Sequence, residues 1–593
     1  MRAERGRAAA TRRATRVICA GTAVVLGAAA LALGYAVELG SRAATAAAPL
    51  PYENATIADT GYPIPAGALF VANSGRDANP GTIGAPFATI RHALGVAPAG
   101  ATIVVRGGVY RESLGSLRRR VTIQAYPHEQ AWVKGSVVAT RWAAGQYGWS
   151  TPFNSSLCDT CYPSEALTPS YPAAGLPEQV FVDGVPQRQV TNPWAMGPGA
   201  FMVSRATHTL WLGDNPAGHT VEITVLGSAL AVTPGAAGTK VLGLGFEHWG
   251  AVYQGSPYDA ITSTARFVTF DNDTIAWSAG RGLGIYGDDN VVTNSRLVDD
   301  GMNGLSANRI TGLDFEHNEI AYSNYEHWDI TPTPYAQIAG AKLTGAAYTM
   351  MRDNDFHDNY SNGLWFDQLS RGQTIVGNTI VRNAGHGLTV EVSGQSAIVG
   401  NLIADNGRDG LKISGANDVE VWNNTSVDNG WAQIGVYEDP RHTQGVVTSD
   451  TSNVSILDNV FEAGPHSQKY VFFNVDTSHP KHATFAQMIS ADDHNVWGRT
   501  NPSGPAVEFD VQSSLGQSGS YDSLAQFHAA TGRETASTSI DGLPLASVFS
   551  DPVSGNFSLL PSALAHMPAP LSPPIAIAWA LGPGAIPQHV GAA

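Results

Sequence analysis

Cysteine is scarce: the 593 residues contain three, Cys19, Cys158 and Cys161. A zinc site at Cys158-Asp-Thr-Cys161 would need two further ligands, and none lies nearby. The βαβ surroundings of a redox C-x-x-C are also missing, so Cys158 and Cys161 read as a small local disulfide in an exported protein. Charge is scarce too. Asp, Glu, Lys and Arg make up 14% of the chain, and 34 basic residues face 50 acidic ones for a formal charge of −16. A phosphate-binding surface has to be basic, so nucleic acid is excluded as a partner.

The N-terminus carries targeting information. Arg2, Arg5, Arg7, Arg12, Arg13 and Arg16 precede an uncharged run at 17–37, which contains Cys19, and small residues follow up to Pro49. Twenty-one residues suffice to cross a bilayer, and the small residues suit a cleavage site, so 1–48 reads either as a signal peptide or as a retained membrane anchor. Both place the body outside the cytoplasm, secreted or anchored, because the arginines stay inside. Any membrane contact would be through that segment. The Arg12-Arg13 pair is too degenerate to mark a twin-arginine signal.

What the chain has in quantity is Gly, 64 residues, with Asn recurring at turns, a profile of many short strands and tight corners. The Gly residues fall into a repeat. Gly340-Ala-Lys-Leu-Thr344, Gly363-Leu-Trp-Phe-Asp367, Gly387-Leu-Thr-Val-Glu391 and Gly410-Leu-Lys-Ile-Ser414 start 23, 24 and 23 residues apart. A period in the twenties, with apolar alternation in each copy, predicts a right-handed parallel β-helix, an all-β solenoid whose coils bury their faces by stacking.

Alternation assigns the faces. Leu364, Phe366, Leu388, Val390, Leu411 and Ile413 point inward, and the residues between them point outward in two columns. One column reads Lys342, Trp365, Thr389, Lys412; the other reads Thr344, Asp367, Glu391, Ser414. Asp367 and Glu391 therefore occupy equivalent positions on neighbouring coils, about 5 Å apart. Like charges so close favour one protonated and one ionised carboxyl. A gap of about 5–5.5 Å suits a retaining glycosidase, in which one carboxylate attacks the anomeric carbon and the other shuttles a proton. An outward Asp on a solenoid is ordinarily solvated; the pairing, and Trp365 beside it as a sugar platform, distinguish this one. Lys342 and Lys412 read chiefly as partners of the carboxylates, and His386 and His327 as substrate contacts.

Along the chain, 49–65 reads as a linker and 66–141 as an N-terminal cap, with a helix near 87–96, followed by the first coils. Periodicity is lost at 142–219, where aromatic loops and the hairpin signal at 179–186 predict an inserted β-sandwich-like domain. Val221-Glu-Ile-Thr-Val225 is expected to resume the solenoid, whose main body runs over 220–480. Asn272, Asn294, Asn318, Asn354, Asn378, Asn401 and Asn424 mark one repeated turn, read as a structural ladder. Two coils are overlong: one between Asn318 and Gly340, including Tyr325-Glu-His-Trp-Asp329, and one between Gln433 and Asn459, around Glu438-Asp-Pro-Arg-His442. They are expected to wall a groove over Asp367 and Glu391. Coils fade after 481, leaving a C-terminal cap and tail at 481–593.

Gly-Leu-Trp-Phe-Asp367, Glu391 one coil later and the sandwich-like insertion resemble the retaining β-xylosidase family built on a parallel β-helix with an embedded β-sandwich. The resemblance spans about 66–480 and implies Asp367 as nucleophile and Glu391 as general acid/base, without a cofactor, acting on an oligo- or polysaccharide. Similar coils occur in exported proteins that resemble pectate lyases in fold. A uronan lyase or epimerase, with Lys342 or Lys412 as base and a carboxylate-held Ca²⁺, and a non-catalytic glycan-binding surface protein remain alternatives.

Overall fold

The computed structural model describes residue 52 and residues 55–157, 172–252, 258–327, 338–438, 441, 445, 447–476, 483–513, 515–516, 518–565, 567–571 and 591. These belong to one compact unit, Tyr52–Ala593. The arginine-rich segment, Cys19, Cys158, Cys161, Trp328, Asp329, Asp439, Pro440 and His442 lie outside the described residues.

Three 13-stranded sheets run the length of the solenoid, built from one strand per coil and paired in parallel from coil to coil, except that the last strand of one, Gly519–Tyr521, runs antiparallel to Val507–Gln512. Short alternating strands separated by tight turns can close only this way, because a parallel partner needs a full coil of intervening chain. The register is the one the repeat implies: Leu364 pairs with Leu388 and Leu388 with Leu411, while Phe366 pairs with Val390 and Val390 with Ile413. All six are buried in one continuous core. The chain is a right-handed parallel β-helix.

Two internal Asn ladders hold the turns. In the first, Asn354, Asn378, Asn401, Asn424 and Asn459 each accept from the backbone N–H of the preceding member, at 2.8–3.0 Å. Asn272 and Asn294 are not members. They take left-handed backbone angles one residue before the ladder position, which Asp273 and Ser295 occupy. A second ladder, Asn359, Asn383, Asn406 and Asn429, lines the turn that enters the site-bearing sheet. It explains the recurrent Gly: a Cβ at Gly340, Gly363, Gly387 or Gly410 would lie 2.8, 2.8, 2.7 or 2.4 Å from the amide nitrogen of an Asn in this ladder.

The insertion is a mixed eight-stranded sheet, and it begins and ends outside the expected 142–219. Ser136–Val138 and Val221–Thr224 form its first two strands. The segment expected to resume the solenoid thus belongs to the insertion, and coils resume at Leu230–Val232. Alternation in Val221-Glu-Ile-Thr marks a strand without saying which sheet it joins. Val185–Gln189 pairs one half of its length to each side, so the sheet folds over there. Val180, Val221 and Ile223 of one half share a core with Phe201, Leu210 and Leu212 of the other, a sandwich-like arrangement. Glu222 anchors the insertion to the coils beneath. Although burial alone would raise its pKa, His248, Arg111 and Lys134 hold it below the usual carboxylate range.

Both ends are plugged. The helix Ile90–Val96, capped by Thr89, buries Ile90, Ala93 and Leu94 at the first coil. At the other end coils continue past 481 as Ile489–Asp493, Val496–Arg499 and Val507–Gln512, filled by aromatics in place of aliphatics. Helix Leu524–Thr531 closes this end, with Phe527 stacked on Phe509 at 4.3 Å. Replacing Gly387 by Ala, which forces a methyl against Asn406 and the Gly410 carbonyl, is expected to lower unfolding free energy by about 1–3 kcal/mol, read by chemical denaturation.

Candidate active site

Asp367 and Glu391 lie at the ends of adjoining strands, Asn362–Asp367 and Leu388–Glu391. Thr344 pairs with Asp367 on one side and Ser414 with Glu391 on the other, so the two residues end adjoining strands whose backbones lie about 4.8 Å apart. Directly after them the backbone turns left-handed at Gln368, Leu369 and Val392, with φ of 44°, 72° and 44°. The flanking coils place Gly345 and Gly415 at this turn. The tight turn brings the Gln368 N–H back to Asp367 Oδ1 at 2.7 Å.

The columns match the sequence reading, yet their electrostatics differ from it. Lys342 donates to Asp367 Oδ2 at 2.9 Å, and its ammonium lies 2.9 Å from the centroid of the Trp365 ring. Both members of this ion pair are nearly inaccessible, with side chains 4% and 6% exposed. Burial pushes the Lys342 pKa down to about 8, against the pull of Asp367 and Glu391. On the solvent side, Arg441 of the second overlong coil donates to Glu391 Oε1 at 2.8 Å and stands 3.9 Å from Asp367 Oδ1. Two carboxylates therefore meet two cations. In place of the expected like-charge pair, with one proton kept by repulsion, stands a cluster of two carboxylates and two cations.

The opposite edge of the strands carries groups that the repeat alone does not reveal. His386 Nδ1 lies 3.3 Å from the Asp409 backbone nitrogen and 3.2 Å from Asp409 Oδ2, and burial lowers the His386 pKa despite this carboxylate. Tyr437 donates to Asp409 Oδ2 at 3.0 Å. Its ring reaches across the face because residue 435 is Gly: a Cβ there would lie 2.5 Å from the ring. Tyr437 thus roofs Lys412, whose ammonium is 5.9 Å from the ring centroid. Lys412 itself has no ion pair among the described residues, contrary to the expectation that it partners a carboxylate.

His327 lies in the first overlong coil. Its ring packs on Tyr360 at 4.9 Å, in an aromatic corner with Tyr325 and Trp277, and burial pushes its pKa down to about 4. Phe181 of the insertion touches the same Trp277 at 5.4 Å, so insertion and overlong coil share this corner. Among the described residues, Asp405, Asp428 and His466 bring three metal-capable atoms within 4.8 Å of one another. They sit on turns between strands, apart from the carboxylate columns.

Removing one member of the Lys342–Asp367 pair leaves a buried charge. Lys342→Met is expected to cost on the order of 3 kcal/mol, and Lys342→Met with Asp367→Leu to recover most of it, measured as a double-mutant cycle in guanidinium.

Comparison with known proteins supports the fold. A model described as a right handed beta helix region matches residues 260–426, and one described as a protein of unknown function (DUF1565) matches 73–117. The curated protein YwoF of Bacillus subtilis (strain 168) is 37% identical over 76 residues, 12% of this chain and 16% of its own length. The structure of XylC in complex with xylose is similar with a TM-score of 0.56 at 16% identity, over 76% of this chain and 86% of that one. The A-module of the Azotobacter vinelandii mannuronan C-5 epimerase AlgE6 aligns at 0.40 and 15% identity, over 77% and 92%. The XylC likeness is one of fold: a right-handed parallel β-helix.

Proposed function

We propose that the protein is an extracytoplasmic carbohydrate-active enzyme, a retaining glycoside hydrolase that removes a terminal sugar from a plant or cell-wall polysaccharide. The observation that carries this reading is the pair of carboxylates one strand apart in unequal environments. Asp367 is buried, fixed by the Lys342 ammonium and the Gln368 N–H, and suits the nucleophile. Glu391, with a side chain 16% exposed and a partner that reaches in from solvent, suits the proton carrier. That XylC was determined with xylose agrees with a sugar ligand for this fold.

In this mechanism a sugar enters over Trp365 and displaces Arg441 from Glu391. Deprived of its cation and of water, the Glu391 carboxyl takes a proton and gives it to the glycosidic oxygen as Asp367 attacks the anomeric carbon. Glu391 then draws a proton from water, which releases the sugar from Asp367. The lyase alternative with Lys342 as base is disfavoured because that lysine is held in an ion pair with Asp367 beside the Trp365 ring. Ca²⁺ bound at Asp367 and Glu391 would have to displace the two cations already there.

Turnover of a panel of aryl glycosides tests the reading. Asp367→Ala and Glu391→Ala are each expected to lose at least about a thousandfold in kcat, with azide restoring Glu391→Ala on substrates with good leaving groups. No turnover of any aryl glycoside by the unaltered protein would refute it. Because Lys342 holds its proton only below about pH 8, activity is expected to fall as pH rises through that value, and Lys342→Arg to move the limb upward.

A further inference from the structure

The floor of the site is a row of hydrogen-bond donors without acceptors. Trp365, Thr389 and Lys412 follow one another in register on three adjoining coils. The Trp365 indole Nε1 and the Thr389 Oγ1 are buried without hydrogen-bond partners among the described residues, and Thr389 is only 1% exposed. Lys412 has no ion pair among those residues, whereas Lys342 and Arg441 both have one.

An indole N–H, a hydroxyl and an ammonium spread over two coil spacings, about 10 Å, call for a ligand rich in acceptors and negative at one end. Direction follows from the carboxylates, and here the argument rests on the hydrolase reading. Asp367 takes the anomeric carbon and Glu391 the leaving oxygen, and Glu391 is one coil nearer Lys412. The leaving sugar therefore lies on the Lys412 side, under Tyr437.

We propose that Lys412 binds the carboxylate of a uronate sugar on the leaving-group side of the scissile bond, so that the substrate is an acidic oligosaccharide. The test uses the full-length protein and two disaccharides that share the glycone identified with aryl glycosides, one with glucuronate and one with glucose as leaving sugar. The kcat/KM for the glucuronate compound is expected to exceed that for the glucose compound by about tenfold or more. Lys412→Met should bring the ratio near one, and Lys412→Arg should preserve it, with circular dichroism confirming that both variants are folded. A ratio near one in the unaltered protein, or one unmoved by Lys412→Met, overturns the proposal. Saturation-transfer NMR with free glucuronate separates the two readings. Lys412-dependent binding without any glycoside hydrolysis removes the hydrolase assignment and keeps the acid site, whereas hydrolysis with no preference for glucuronate removes the acid site alone.

Discussion

Register between coils is the constraint on which everything else stands. Successive strands carry their side chains on alternate faces, so a slip of one residue would bring Leu388 and Val390 out and Thr389 and Glu391 in. The two Asn ladders oppose that slip. Each Asn accepts from the backbone N–H of the preceding coil and donates to a carbonyl of the coil before, as Asn406 does with Asn383 and Ile380, so the turns are tied at a fixed offset. Buried turn groups that would otherwise lack partners are satisfied in the same stroke. The Gly that opens each coil is the steric consequence of this ladder, and it starts the strand that ends in Asp367 or Glu391.

On that frame the two ion pairs of the site differ in kind. Lys342–Asp367 is enclosed on both sides, whereas the Arg441 side chain is 39% exposed where it meets Glu391. A buried pair is costly to break by halves, while an exposed pair contributes little and is readily exchanged for another partner. One carboxylate is thus fixed in an enclosed ion pair and the other in a pair that solvent reaches. This asymmetry, more than the spacing alone, separates a nucleophile from a proton carrier.

Much of this was legible in the residues. The period placed the coils, the alternation placed the columns, and both held in the observed pairing. What escaped has physical reasons. Arg441 reaches the carboxylates from an aperiodic excursion, which length can flag but no repeat can position. Tyr437 and Asp409 meet because Gly435 removes a side chain between them, an effect of absence rather than of pattern. Asn272 and Asn294 fall outside the ladder because Asn also favours left-handed turns, and two turn positions lie side by side in each coil. The ring packing of His327 with Tyr360, beside Tyr325 and Trp277, brings together residues far apart in the chain and leaves no periodic trace.

The backbone at the carboxylates points the same way as their surroundings. Where neighbouring coils spend a Gly on the turn after the strand, these two coils use Gln368-Leu369 and Val392, and a left-handed β-branched residue costs on the order of 1–3 kcal/mol. The Val392 side chain is fully buried, and its N–H donates to the Ser414 carbonyl while its own carbonyl accepts from Leu369. Burial and these two bonds offset the strain and leave little freedom in the peptides that carry Asp367 and Glu391. A Gly turn would close the coil at lower local cost but would let both carboxylates swing. Rigidity at the strand ends is therefore concentrated at the two positions where a spacing near one strand repeat has chemical consequences.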